Sequence, residues 1–70
     1  MNNKFKNGSW VIVSGPGEDT GRIYKNQPAQ VIRRDPYYKD YLVRFKRSGK
    51  EEWIKPKYLR KPYTRKKRRS

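Results

Sequence analysis

The sequence has no cysteine, no histidine and no long apolar run. Without cysteine, the fold cannot rely on a disulfide or on a thiolate metal site. Without histidine, the chain lacks the commonest general base and the commonest metal ligand. No apolar stretch approaches the ~18 residues that a membrane-spanning helix needs. These absences exclude several function classes, and we expect no membrane insertion, no metal and no cofactor.

The carboxylates also argue against catalysis. Only six Asp and Glu residues are present, in three groups at predicted loops or strand ends. Glu51 and Glu52 are neighbours on a predicted strand, so their side chains point to opposite faces and cannot form a paired acid–base site. The serines and Thr20 have no histidine to activate them. We therefore expect a protein that is not an enzyme and has no small-molecule substrate.

Positive charge is the dominant property of the chain. Its 70 residues include 20 Lys and Arg against six Asp and Glu, a formal net charge of +14. Residues 60–70 hold seven of these cations and no acid, so half of the net charge lies there. Such an excess costs folding stability through self-repulsion, which a polyanionic partner relieves. Nucleic acid is the first candidate partner and an anionic membrane surface the second.

Short apolar segments bounded by turn residues predict strands. Segments 10–13, 21–24, 29–34, 41–46 and 51–54 are the strand candidates, and 57–60 fits one helical turn that leads into a last short strand. Segment 41–46 shows the clearest alternation of apolar and charged residues. Asn26-Gln27-Pro28 separates the second candidate from the third. No window shows a helical apolar period, so the pattern predicts an all-β protein with five short strands in a small barrel or strongly bent sheet.

The organisation expected from this pattern has three parts. A polar N-terminal arm covers 1–8, a β-barrel covers 9–61, and a basic tail that is disordered when free covers 62–70. The predicted core contains eight apolar residues, namely Val11, Val13, Ile23, Val31, Val43, Phe45, Ile54 and Leu59. The polar N-terminus lacks the apolar stretch of a secretory signal. We therefore expect a protein that stays inside the cell, in the cytoplasm, or in the nucleus if its source is eukaryotic.

Ten aromatic residues are more than so small a core can bury. Exposed aromatic rings among Lys and Arg suit the stacking of unpaired bases and contact with phosphates. The alternative is that these rings lie flat and cover the ends of the barrel. The four rings that we single out for stacking or for an aromatic cage are Trp10, Tyr37, Tyr41 and Trp53.

Residues 8–24 resemble the KOW motif of ribosomal and transcription-elongation proteins. The motif has a glycine, a strand with alternating valines, a glycine turn, and a further glycine followed two residues later by an aliphatic residue. Those positions are taken here by Gly8, Val11 and Val13, Gly15, Gly21 and Ile23. The resemblance implies an SH3-like barrel and binding to RNA.

The second half of the chain resembles Tudor and chromo-barrel domains. The segments that carry the resemblance are Ala29-Gln30-Val31, Tyr41-Leu42-Val43-Arg44-Phe45, Glu52-Trp53-Ile54 and Leu59-Arg60. Members of that group often bind methylated lysine in an aromatic cage through cation–π attraction. Both resemblances imply the same SH3-like barrel, and they differ in the ligand that they imply.

Three functions remain open at this point. The first is a structural RNA-binding protein, ribosomal or ribosome-associated, with ribosomal proteins as further partners. The second is a DNA-binding chromatin or phage protein or transcription factor, and the third is a protein-interaction module, either a methyl-lysine reader or a proline-motif binder. For the first two, the expected phosphate contacts are Arg33, Arg34, Arg44, Lys46, Arg47, Lys50, Lys61, Arg65, Lys66, Lys67, Arg68 and Arg69. Of these, the cations of 33–34 and of 44–47 lie on strands that we expect to be neighbours, where they would form one basic stripe. RNA is favoured over DNA because the exposed rings suit unpaired bases.

Overall fold

The protein folds into one antiparallel β-sheet, seen in a computed structural model that describes residues 5–62. The strands are β1 (Trp10–Pro16), β2 (Ile23–Arg34), β3 (Tyr41–Phe45), β4 (Glu51–Ile54) and β5 (Leu59–Arg60), with a short 3₁₀ helix over Pro56–Tyr58 before β5. The predicted all-β class and the number of five strands are confirmed, although two of the predicted segments, 21–24 and 29–34, belong to the single strand β2. Within 5–62 there is no helix with the length and apolar character that crossing a membrane requires.

The order of the strands across the sheet is β4-β3-β2-β1-β5. Each of the first four strands pairs with its neighbour in the sequence, and β5 returns to the free edge of β1. This arrangement is compatible with an SH3-like barrel. The two outermost strands, β4 and β5, are not paired with each other in the described part of the chain, so the sheet is not closed there.

One face of the sheet forms the core. Alternate residues of β3, namely Tyr41, Val43 and Phe45, are buried, while Arg44 between them is exposed. The same alternation buries Val11 and Val13 on β1 and Ala29 and Val31 on β2, as the period of two in a strand requires. Ile54 on β4 and Leu59 on β5 join the same cluster. Since strands from both ends of the sheet contribute to one cluster, the sheet curves around its core.

The prediction that Asn26-Gln27-Pro28 separates two strands is wrong, because β2 runs without interruption over twelve residues. Asn26 adopts a positive φ of 48° within this strand. Pro28 lies at the end of the β2–β3 pairing, where its carbonyl accepts a hydrogen bond from the N–H of Lys46 at 3.0 Å. The N–H that proline lacks would belong to this last position, so the pairs from Ala29 onward are unaffected.

The prediction that Ile23 belongs to the core is also wrong, because this side chain is 62% exposed. The register of β1 against β2 shifts between Val13 and Gly15. Tyr24 rather than Ile23 turns inward as a result, and its ring stacks on that of Phe45 with 4.2 Å between centroids. Tyr24 fills the place at the core that the sequence pattern gave to Ile23.

The end of the predicted N-terminal arm is attached to the sheet. Phe5 is buried in the core and contacts the ring of Tyr41 edge-on, with 5.5 Å between centroids. The backbone N–H of Phe5 also donates to the hydroxyl of Tyr41 at 3.3 Å. Gly8 and Ser9 exchange backbone hydrogen bonds with Val31. The core therefore extends to a residue that the sequence analysis placed outside the barrel.

Gly15 allows the 3₁₀ helix to pack closely against β1. Its φ is 152°, and a Cβ built there would lie 2.4 Å from Cδ1 of Tyr58. No side chain fits in that space, so only glycine permits the contact. Tyr58 in turn packs against the core cluster and helps to place β5 beside β1.

Candidate nucleic-acid interface

The outward-facing residues of the sheet form rows that cross the strands. Trp10, Gln30, Arg44 and Glu51 are successive partners in register across β1, β2, β3 and β4. A second row contains Arg33, Leu42 and Trp53 on β2, β3 and β4. Cross-strand partners lie on the same side of a sheet, so these seven residues share one surface. We call this surface, together with Lys46, whose ammonium group lies over the ring of Trp10, the outer face.

Cations of the outer face lie over its two tryptophan rings. The guanidinium carbon of Arg33 is 5.2 Å from the centroid of the Trp53 ring. Nζ of Lys46, which follows β3, is 6.0 Å from the centroid of Trp10. Attraction between a cation and the face of an aromatic ring favours both placements. Trp10 is 47% exposed, so its ring remains accessible beside the ammonium group.

The one acid in these rows is neutralised by its neighbour. Nε and Nη2 of Arg44 both donate to one carboxylate oxygen of Glu51, at 3.2 and 2.8 Å. Both side chains are well exposed, so this ion pair adds little to stability. Arg33 and Lys46 form no ion pair with any residue of 5–62. Their charge is therefore available to an external anion.

The predicted basic residues are only partly brought together. Arg33, Arg44 and Lys46 belong to the outer face, as the sequence analysis expected for a basic stripe on neighbouring strands. Arg34 does not join them, because it is paired in register with the inward-facing Tyr41 and so lies on the opposite side of β2 from Arg33.

Other predicted contacts lie at the periphery of the sheet or outside the described residues. Arg47 and Lys50 are exposed in the turn between β3 and β4, and Lys61 is exposed after β5. Arg65, Lys66, Lys67, Arg68 and Arg69 lie outside the described residues. Arg60 was not among the predicted contacts, but it is exposed on β5 opposite Ile12, and its Nη2 donates to Asn26 Oδ1 at 2.9 Å.

The four aromatic residues proposed for stacking or a cage do not converge. The prediction that Tyr41 stacks on a base or lines a cage is wrong, because this residue is only 2% exposed and its ring belongs to the core. Trp10 and Trp53 are separated by β2 and β3, which places them roughly 14 Å apart at the usual strand spacing. Tyr37 lies in the loop between β2 and β3, in edge-on contact with Tyr38. These positions do not form a single aromatic cage.

A buried carboxylate organises the side of the sheet opposite the outer face. Glu52 is 3% exposed and accepts hydrogen bonds from the backbone N–H groups of Asp19 and Thr20 at 2.9 and 3.2 Å. The hydroxyls of Thr20 and Tyr24 also donate to it, at 3.3 and 3.2 Å. A buried charge needs such donors to offset the loss of its hydration. Glu52 therefore fastens the loop between β1 and β2 to β4.

Two further contacts fix the same loop. The backbone N–H of Glu18 donates to the carbonyl of Trp53 at 2.8 Å, and the Glu18 carboxylate lies 3.6 Å from Nζ of Lys55. Gly17 passes so close to Glu52 that an added Cβ would lie 2.2 Å from its Oε2. Glu18 and Glu51 pair with cations, whereas Glu52 bonds to the loop and forms no ion pair with residues 5–62. The sequence signal for this burial was the position of Glu52 on a predicted strand, on the opposite face from Glu51.

The fold and this surface define a class: an all-β protein whose five-stranded sheet carries cations and tryptophans on its outer face. The chain matches no protein-family model, no curated protein and no solved structure. Among the described residues, no group of three or more acidic residues could hold a metal ion.

Proposed function

We propose that this protein binds nucleic acid, with RNA preferred to DNA, and that the outer face is its contact surface. The observation that carries the proposal is the placement of Arg33 and Lys46 over Trp53 and Trp10 on one face of the sheet. Each pair combines a cation without an acid partner in 5–62 with an aromatic ring. Phosphates are attracted to the first and unpaired bases stack on the second.

The distribution of acids supports the same proposal. Residues 5–62 contain fourteen Lys and Arg and six Asp and Glu, a net charge of +8. Four of the six acids already have partners, since Glu18 and Glu51 form ion pairs, Glu52 bonds to the β1–β2 loop and Asp35 accepts a hydrogen bond from the N–H of Tyr37. Most of the exposed cations therefore stay unneutralised within the described part of the chain. A phosphate backbone supplies the missing anions.

The mode of binding follows from the kinds of groups on the outer face. The described residues include no recognition helix that would enter a major groove, so we expect little base specificity from the outer face. Exposed rings are of more use to unpaired bases than to a duplex, in which the bases are already stacked. RNA with single-stranded segments is for this reason the preferred ligand, and duplex DNA is the alternative.

The finer assignment that we propose is an SH3-like barrel of the KOW type, in a small ribosomal or ribosome-associated protein of the cytoplasm. The order of the strands and the 3₁₀ helix before β5 support the barrel. A Tudor-type methyl-lysine reader is less well supported, because Tyr41 is buried and Trp10 and Trp53 lie apart. Copurification of the full-length protein with ribosomal particles at moderate salt tests this assignment.

The salt dependence of binding tests the proposal as a whole. If about six phosphates are neutralised, the logarithm of the affinity for RNA should fall with the logarithm of salt concentration at a slope of about −4 to −5. Filter binding of a structured RNA with single-stranded loops measures it. A slope near zero contradicts the proposal. A duplex DNA competitor at fixed salt separates the two nucleic acids, and we expect RNA to be preferred by about tenfold.

A pair of double variants locates the surface. Arg33→Gln with Lys46→Gln removes two charges from the outer face, and Lys6→Gln with Arg22→Gln removes two exposed charges elsewhere. We expect the first pair to weaken RNA binding by about tenfold or more and to lower the salt slope by about 1 to 2. The second pair should weaken it by about threefold or less, as an effect of net charge alone. Equal losses would show that the outer face is not the contact surface.

A further inference from the structure

A groove lies beside the outer face, at the end of the sheet where β2 passes into β3. It has a volume of about 330 Å³ and is lined by Tyr38, Asp40, Lys55, Pro56 and Lys57. Tyr38 and Asp40 come from the loop between β2 and β3, and the other three follow the end of β4. Lys55 is two residues beyond Trp53 in the sequence, so the groove borders one of the cation–ring pairs of the outer face.

The carboxylate of Asp40 has no partner in the described part of the chain. Its backbone carbonyl accepts a hydrogen bond from Asp35, but its side chain forms no hydrogen bond or ion pair with residues 5–62. Burial raises the pKa of Asp40, and Glu18 and Asp35 add to the rise, while Lys55 acts against it. An acceptor-only group thus stands in a partly dehydrated groove without a donor.

The walls of the groove supply a ring and cations. Tyr38 is 71% exposed, and its ring contacts that of Tyr37 edge-on, with 4.8 Å between centroids. Lys57 is exposed, and its Nζ lies 5.3 Å from the centroid of Tyr58. Lys57 forms no ion pair with residues 5–62, whereas Lys55 is paired with Glu18. The groove therefore combines a stacking surface, a hydrogen-bond acceptor and a phosphate contact.

We propose that this groove binds an unpaired guanine of an RNA strand. The base stacks on Tyr38, its Watson–Crick edge donates to the carboxylate of Asp40, and Lys57 contacts the adjacent phosphate. Guanine is the base that offers two adjacent donors, N1–H and the N2 amine, and a carboxylate accepts both at once. This inference rests on the proposed RNA binding and adds base preference, which the outer face alone does not provide.

An arginine side chain of a protein partner has the same two features, a planar group and adjacent donors. The charge of the protein argues against it, because residues 5–62 have a net charge of +8 and Lys57 in the groove has no acid partner among them. Lys57 attracts the phosphate that a guanine nucleotide brings. A nucleotide is accordingly the better fit, and the arginine is kept as an outcome of the test.

Four eight-nucleotide RNA strands test the proposal with the full-length protein. One strand is oligouridine, and the others have a single guanosine, adenosine or inosine at the centre. We expect the guanosine strand to bind about tenfold more tightly than oligouridine, as for a hydrogen bond to a charged group. The inosine strand, which lacks the N2 amine, should fall between them, and the adenosine strand should resemble oligouridine. Competition filter binding measures the four affinities.

Three variants assign the preference to the groove. Asp40→Asn should reduce the guanosine advantage to less than about twofold, because an amide cannot accept both donors. Asp19→Asn removes the same charge from an exposed position in the β1–β2 loop and should leave the advantage unchanged. Tyr38→Ala should weaken binding of the guanosine strand by about tenfold. Circular dichroism confirms that each variant is folded.

The possible results separate this inference from the proposed function. If the protein binds none of the strands in dilute buffer, both fail. If it binds all four equally, or if Asp40→Asn keeps the guanosine advantage, the outer face remains the binding surface and the groove is not a guanine site. If an arginine-containing peptide binds the wild type but not Asp40→Asn, and no guanine preference appears, the groove belongs to a protein partner.

Discussion

Glu51 and Glu52 are adjacent on β4, yet they belong to different sides of the sheet and do different things. Glu51 is exposed on the outer face, where it pairs with Arg44. Glu52 is buried on the inner side, where two backbone N–H groups and two hydroxyls donate to it. The same side chain thus forms an exposed ion pair at one position and a buried set of hydrogen bonds that holds a loop at the next.

The comparison extends to the two sides of the whole sheet. Among residues 5–62, the inner side buries apolar residues and one carboxylate, and no lysine or arginine is buried there. The outer face carries Arg33 and Arg44 beside two tryptophans, with Lys46 over one of them. A strongly basic chain can fold when its strands alternate in this way, because the cations stay hydrated while the core stays apolar. The fold depends on one side, and the proposed binding depends on the other.

The largest effect that we expect comes from Glu52. The Glu52→Ala variant leaves the N–H groups of Asp19 and Thr20 without an acceptor and should lower the free energy of unfolding by about 3 kcal/mol. That is a large share of the about 3.5–10 kcal/mol expected for a chain of this size. Glu51→Ala should cost less than about 1 kcal/mol, since it removes only an exposed ion pair.

Urea unfolding followed by circular dichroism measures both variants. Equal losses of unfolding free energy for Glu51→Ala and Glu52→Ala would show that the two sides of the sheet do not differ in this way. A loss at Glu52 that left the β1–β2 loop as protected from proteolysis as in the wild type would show that the carboxylate does not hold the loop.

A medium effect is expected at Gly17, where a side chain would collide with the same carboxylate. Gly17→Ala should cost about 2 kcal/mol by displacing Glu52 from its donors. In a Glu52→Ala background the cost should fall below about 1 kcal/mol, because the collision is gone. Gly49→Ala serves as the control, since its positive φ of 76° causes strain but nothing lies near the added Cβ. Gly49→Ala should lower the free energy of unfolding by the same amount in the wild type and in Glu52→Ala. If Gly17→Ala also costs the same in both, Gly17 and Glu52 are not coupled.

The smallest effect concerns Asp40, which lies in a loop at the end of the sheet. Burial raises the pKa of this carboxyl, so the folded state holds the proton more tightly than the unfolded state. The stability gained in this way is present below the ordinary pKa and is lost as the pH rises through the raised pKa. The free energy of unfolding of Asp40→Asn, relative to that of the wild type, should therefore be higher at about pH 7 than at about pH 3.

Urea unfolding of Asp40→Asn and of Asp19→Asn at the two pH values checks this sign. Asp19→Asn is the control for the loss of one negative charge at an exposed position. A difference between Asp40→Asn and wild type that does not change with pH would show that burial of this group has no effect on stability. A change of the opposite sign would mean that its attraction to Lys55 outweighs the burial.

The alternation of apolar residues predicted much of the sheet. Tyr41, Val43 and Phe45 alternate with polar or charged residues, and their strand lies where the pattern placed it. The opposite orientations of Glu51 and Glu52 also followed from their adjacency on a strand. These features are local, since each depends only on the period of two along one extended segment.

Features that depend on distant contacts could not be predicted in this way. Phe5 stands alone in a polar segment, and its burial depends on the ring of Tyr41, 36 positions further along the chain. Ile23 and Tyr24 are both apolar enough to face inward, and the register shift against β1 decides between them. Pro28 indicates a strand break in the sequence, and only its position opposite the end of β3 shows that it can lie within β2. The pairing of strands fixed each of these outcomes.

The candidate site shows the same limit. Arg33 and Arg44 could be assigned to one stripe because their strands were expected to be neighbours. The placement of Arg33 over Trp53 could not, because it requires the register of three strands. The groove beside Tyr38 also depends on the β2–β3 loop meeting the segment after β4. Sequence patterns indicate which residues face outward, and the pairing decides which of them meet.

The position of the two tryptophans has a practical consequence. Both belong to the outer face, whereas the buried aromatic residues in 5–62 are phenylalanine and tyrosine. Indole emission from the unlabelled protein therefore reports on that surface, and Tyr41 and Phe5 in the core contribute nothing to it. Excitation at wavelengths that tryptophan absorbs and tyrosine does not would therefore follow the binding of a ligand to the outer face without any added label.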